Sequence, residues 1–177
     1  EAGALLALDL IGRGATPVFL PAGLGPDAAV GAGIADAVVL AGPDAMARAA
    51  ALGLVPWFGF DSERPGRDAA LAEVASFGEL LGDRPQPELV AASRAAGAAL
   101  RVRGLLVLPA LTSADAVALW RGAARNWVEE ARDPEEAATR QVGGEEAADI
   151  LATLCPPAEA STAYRDWLRR RLNWQAG

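Results

Sequence analysis

The chain has 177 residues and a mass of 18.2 kDa, enough for one mid-sized domain or two small lobes with a buried core. Its 16 basic residues are all arginine, set against 23 acidic ones for a net charge of −7; with neither lysine nor histidine, an imidazole base, a Ser-His-Asp or Cys-His nucleophile, a Walker lysine and a Schiff-base lysine are excluded within it. The acidic balance argues against nucleic acid as a partner, no stretch of about 18 apolar residues is present to span a bilayer, and a lone cysteine, Cys155, excludes an internal disulfide and a Cys-rich zinc site.

In chain order, four short and almost continuously apolar runs bounded by turn residues read as strands: residues 16–20, 36–41, 54–60 and 104–108. Continuous apolarity is what strands covered on both faces by helices require, and helical segments separate the first three. The pattern is β-α-β-α-β, so the fold class expected is α/β, with a right-handed parallel sheet and Pro56 pushing the third strand toward an edge. Gly25-Pro26-Asp27-Ala28 follows the first strand and Gly42-Pro43-Asp44-Ala45 the second. Each reads as a helix start, with Gly as N-cap, Pro at the first helical position and Asp in the dipole-favoured first turn. Two such openings at one sheet edge offer free amides to a carboxylate or phosphate.

Residues 61–68 form a charged surface loop before a short helix within 71–81, and Pro85 and Pro87 open an alanine-rich helix to about Leu100. After the fourth strand comes a turn at 109–113 and then a helical C-terminal third. There Thr112-Ser113-Ala114-Asp115 reads as a capping box, Val117, Trp120, Ala124, Trp127 and Val128 as one apolar face, Asp133-Pro134-Glu135 as a helix start, Gly143-Gly144 as its end and Pro156-Pro157 as a separator.

Several motifs have plain structural readings. Gly31-Ala32-Gly33 precedes a strand instead of following one, so it reads as a helix C-cap at Gly33 and a tight turn, not as a dinucleotide loop. The glutamate pairs at 129–130, 135–136 and 145–146 read as solvated helix faces, and no metal site is expected from them. Cys155 reads as a small buried apolar residue, Arg169 to Arg171 as cations complementing a helix C-terminus, and the tryptophans as mostly core.

Taken in order, the segments resemble the solute-binding proteins of tripartite tricarboxylate transporters, the Bug family. Leu20-Pro21-Ala22-Gly23 stands where the family has a Pro-Tyr-Lys-Gly-like loop, and Ala32-Gly33-Ile34-Ala35-Asp36 where it has Gly-Gly-x-Val-Asp. Asp61-Ser62-Glu63-Arg64 resembles its Ser-x-x-Arg loop. The stretch from Leu71 through Glu73, Val74 and Ser76 to Glu79 resembles its Leu-Pro-Asp-Val-Pro-Thr-x-x-Glu segment. Gly104-Leu105 through Pro109 is similar to its Gly-Leu-x-x-Pro strand, and Asp133-Pro134-Glu135 to a later helix start.

The resemblance implies a type II periplasmic-binding-protein-like fold of which the chain holds the later part, the upstream portion and any export signal preceding Glu1. Residues 1–100 are then the ligand-binding lobe, and 101–177 the return strand and C-terminal helices of a second lobe. It further implies a periplasmic receptor, not an enzyme, that needs no cofactor and passes a small carboxylated solute to membrane transporter subunits. Combined with the two capped helix starts, it points to the loops Leu20, Pro21, Ala22, Gly23, Leu24, Gly25 and Ala41, Gly42, Pro43 as contact regions, with amide donors at Ala22, Gly23 and Gly42. Asp27 and Asp44 oppose an anion there unless they point away. Two other readings stay open: an α/β enzyme fragment using Asp61, Glu63 and Arg64 on a small acidic substrate, and an interaction scaffold that has lost binding.

Overall fold

A computed structural model describes residues 2–42, 44–60, 67, 71–83, 86–100, 102, 104–130 and 142–175. Its helices are α1 (Ala2–Leu10), α2 (Pro26–Gly31), α3 (Ala45–Ala51), α4 (Phe77–Leu80), α5 (Pro87–Ala99), α6 (Ala114–Glu129), α7 (Gly144–Leu154) and α8 (Ala158–Leu172).

The centre of the molecule is α5, against which α1, α7 and α8 pack. Alanine at six of its thirteen positions and Gly97 give it a thin body, so neighbouring helices can approach closely. A Cβ built on Gly3 of α1 would stand 2.5 Å from the Cβ of Ala96, and one built on Gly97 would stand 3.1 Å from the Phe60 ring. One apolar cluster joins Leu5, Leu6, Leu89, Ala92 and Trp167; a second joins Ala7, Phe77 and Val90 with Phe58 and Phe60 against it. Leu6 is fully buried, a contribution of about 1.5–3 kcal/mol for a leucine side chain.

Polar contacts fix how the last helix docks on the first. The Asp9 carboxylate, at the end of α1, accepts from Trp167 Nε1 and from Arg171 Nε, both at 3.0 Å. Arg171 also donates through Nη2 to the carbonyl of Ala15, where the chain leaves α1. Beside this lock Tyr164 stacks on Trp167, ring planes 9° apart, and burial pushes the Tyr164 phenol up.

The parallel-sheet α/β lobe expected from the four apolar runs is not formed, and with it goes the βαβαβ architecture of a type II binding-protein-like fold. Among the described residues no ladder joins any two of those runs, which pass as irregular segments. The one β-bridge among the described residues is parallel and joins Gly59 to Ser76: Gly59 N–H donates to Ala75 O and Phe77 N–H donates to Gly59 O, both at 2.8 Å. Two physical causes oppose a sheet. Pro17 and Pro56 each remove a donor from within the first and third runs. Phe58 and Phe60 meet Phe77 and α5 instead of a neighbouring strand, with Phe58 ring centroids 5.9 Å from Phe60 and 6.4 Å from Phe77. An apolar run expresses a preference for burial, and here aromatic packing on helices satisfies it.

The helical signals fared unevenly. Gly25, with extended φ/ψ of −76° and 159°, caps α2 with Pro26 at its first turn as expected. Gly33 closes the same helix at φ +68°, its N–H on Val30 O and the Ile34 N–H on Ala29 O, the pair of bonds that a left-handed glycine permits. In the second echo α3 starts later than expected, with Asp44 at its N-cap. The helix within 71–81 shrinks to α4, held by a capping box between Ser76 and Glu79. Ser113, not Thr112, caps α6: its Oγ accepts from Ala116 N–H at 3.4 Å, while Thr112 Oγ1 donates to Pro109 O. Gly143 opens α7 instead of helping to end a helix, and the 133–135 start lies outside the described residues. Described residues 114–172 are mostly helical, as expected, and Arg169 to Arg171 occupy the last turn of α8.

Candidate functional site

The irregular segments, together with α2, α3 and α6, surround a cleft of about 3290 Å³. Large apolar side chains face it without being covered: Trp57 is 53% exposed, Leu105 53%, Leu106 57%, Trp120 48% and Trp127 53%. Trp167 is the buried tryptophan among the described residues, so the expectation of mostly core tryptophans is corrected; three of the five line the cleft. Arg13 lies over the Trp57 ring, 5.8 Å from its centroid, and holds the third segment near the end of α1.

Both short helix openings border this cleft, through Pro26 of α2 and through Asp44 and Ala45 at the start of α3. What joins them is a side chain. Arg48 Nε and Nη2 donate to the two Asp27 oxygens at 2.9 and 2.7 Å, and Nη1 donates to Ala41 O at 3.3 Å. Asp44 stands 3.9 Å from the same Nη1. The hydrogen bond from Arg48 holds the Asp27 carboxyl below its usual range, and the guanidinium is bound correspondingly more tightly to its proton. Asp27 is therefore turned onto an internal cation. Arg48 was missed by sequence reasoning, since two residues 21 apart on separate helices leave no local signal.

Of the contact residues expected from sequence, Leu20, Ala41 and Gly42 line the cleft. Pro21, Ala22, Gly23, Leu24 and Gly25 stand outside its lining in a turn closed by Leu24 N–H on Pro21 O, and all but Leu24 are exposed. Pro43 lies outside the described residues, as do Asp61, Glu63 and Arg64 of the enzyme reading. Of the three expected amide donors, Gly42 is thus among the cleft-lining residues, and Ala22 and Gly23 are not.

The acid–base inventory is otherwise structural. Arg67 Nε bonds Glu79 at 2.9 Å, and this pairing plus the Ser76 N–H lowers the Glu79 carboxyl to about 2. Cys155, expected buried, is exposed at the end of α7. Glu129 and Glu130 are exposed at the end of α6, as solvated faces require. Among the described residues no group of three or more acidic or cysteine side chains is placed to hold a metal ion, and no helix is long and apolar enough to cross a membrane.

No family model matches the chain, and neither a curated protein nor a solved structure matches it.

Proposed function

We propose that the chain is a non-catalytic binding module that captures a carboxylated solute in the cleft. The observation that supports this reading is the cleft itself: a large, mainly apolar hollow with tryptophans on its walls and arginines among its lining residues. Such hollows with a few polar groups suit a solute whose body is apolar and whose anionic end fixes its orientation. The site moves from the two loops to the cleft wall, and of the loop residues it keeps Leu20, Ala41 and Gly42. In the same proposal the module works in the periplasm and hands its solute to a tripartite tricarboxylate-type transporter, for which the segment-by-segment resemblance to the Bug family is the support.

Titration with succinate, citrate, benzoate and a medium-chain fatty acid tests it, read by tryptophan fluorescence and melting temperature. A saturable fluorescence change with at least one acid, together with a melting point that rises with its concentration, is expected. Silence with every acid refutes the reading.

A further inference from the structure

We infer that the cleft receives helix α6 of a second copy of this chain, the two copies exchanging their α6 helices across a two-fold axis so that Arg125 of each meets Asp36 of the other. The extent of uncovered apolar surface points to a protein partner. Eleven of the sixteen large apolar residues that stay exposed among the described residues line this one hollow, Phe19, Val55, Trp57 and Trp127 among them. Weighted by their exposures, at about 200 Å² for a fully exposed large residue, they leave on the order of 1,200 Å² in water. The largest apolar patch on a typical monomer is roughly 300–600 Å², whereas one partner of an obligate dimer gives up about 1,000 Å² or more.

Size selects a helix, and α6 is a helix that needs covering. It takes no part in the extensive packing of α1, α7 and α8 on α5, and none of its described residues is buried. A helix of 16 residues is about 24 Å long and 10–12 Å across, a volume of roughly 1,900–2,700 Å³, so one fits the cleft of about 3290 Å³. The remainder, on the order of 600–1,400 Å³, overlaps the roughly 300–1,000 Å³ of a small-molecule pocket, so the inference leaves room for a solute without resting on solute capture. Val117, Trp120, Ala124 and Trp127 recur at spacings of three and four, the seam along which two helices interlock. Because α6 is itself a wall of the cleft, an entering α6 sets this seam against its counterpart.

Charge then favours a second copy over an unrelated helix. Asp36 and Arg125 both line the cleft, both are exposed, and among the described residues neither has a hydrogen-bond or ion-pair partner, so they do not meet within one copy. In an isologous pair every contact is made twice, and the approach of Arg125 to Asp36 of the other copy gives all four groups a partner. The net charge of −7 on each copy opposes association at long range. That field is screened beyond about 8 Å at physiological salt, whereas the apolar wall and the opposite charges act at contact.

Sedimentation equilibrium of the whole chain across the micromolar range tests the inference, with the emission maximum of its tryptophans as a second reading. A particle of twice 18.2 kDa is expected, and emission is expected to move to shorter wavelength as the dimer forms and covers Trp120 and Trp127. Arg125→Asp and Asp36→Arg are each expected to weaken the dimer at least about tenfold, and the Asp36→Arg/Arg125→Asp combination to restore it to within about threefold of the wild type. Both positions are exposed, so far-UV circular dichroism of the three variants is expected to match the wild type. Should a reversed charge disturb folding, Asp36→Asn and Arg125→Gln weaken the dimer in the same direction by neutralising the pair. A single-chain mass throughout overturns the inference, and if the tryptophans of that monomer still answer to an acid, solute capture stands without it. A dimer that is indifferent to the charge variants, or that the combination fails to restore, overturns it as well, because the copies then meet elsewhere.

Discussion

Ser93 lies in the middle of α5 with 1% of its surface exposed, and its Oγ has no hydrogen-bond partner among the described residues. A serine inside a helix usually satisfies itself on the carbonyl one turn back; here that bond is not made, so the hydroxyl carries its desolvation cost uncompensated. That cost is about 1–3 kcal/mol by mutational experience. Alanine removes it and gains roughly 0.5 kcal/mol of helix propensity, against a small loss from the vacated oxygen site. Ser93→Ala is therefore expected to stabilise the protein by about 1–2 kcal/mol, opposite in sign to most core substitutions. For a chain of this size that is a rise of roughly 2–8 °C in melting temperature. Urea unfolding followed by far-UV circular dichroism is the assay, with an unchanged slope showing that the unfolded state is not the source. Ser93→Val serves as the control, because it also removes the hydroxyl but adds bulk to a tight helix contact, and it is expected to lose about 1–3 kcal/mol. A loss of stability in Ser93→Ala would refute the reasoning, since it would mean that the hydroxyl is partnered in solution.

Two further outcomes follow from close contacts. Glu79 titrates at about 2 when folded against 4.5 ordinarily, so the stability it lends through Arg67 and Ser76 is fully present above about pH 4.5 and is lost as the pH falls toward 2; Glu79→Gln should flatten the acid limb of a melting-temperature profile in that window, and an unchanged limb would remove the pairing from consideration. Gly3→Ala should cost about 1–2 kcal/mol, because the new methyl meets the Ala96 Cβ at 2.5 Å and overpacking outweighs the helix-propensity gain. Adding Ala96→Gly opens that space, so a double-mutant cycle by urea unfolding should show coupling of at least about 1 kcal/mol, and additivity within roughly 0.3–0.5 kcal/mol would count against so close an approach.

Features decided within one turn of chain were legible in the sequence. Gly25-Pro26-Asp27 opened α2 and Gly33 closed it, because capping depends only on neighbours in sequence. The strand readings failed for the complementary reason: a sheet needs a partner ladder, and nothing local in residues 54–60 tells that Phe58 and Phe60 will settle on Phe77. Helix α1 gave no signal at all. Its sequence is apolar on nearly every side, which erases the periodicity of an amphipathic helix and belongs to one buried among others. The site was half legible. The apolar face of α6 was read from its spacing, though not that it would wall an open cleft; the Asp27–Arg48 pair joins residues 21 apart, and no pattern in sequence encodes it.

The Asp9, Trp167, Arg171 and Ala15 contacts place the two ends of the described chain against each other, and both pack on α5. During synthesis the first nine helical residues therefore leave the ribosome long before the surface that buries Leu5 and Leu6 exists. Assembly of the cluster that holds Trp167 must wait for α8, 158 residues separating Asp9 from Trp167, so vectorial folding before then is limited to the packing of α1 and α7 on α5 and the cluster around Phe77. A nascent chain stalled before Trp167 is the form in which a holdase chaperone would find the most apolar surface to bind.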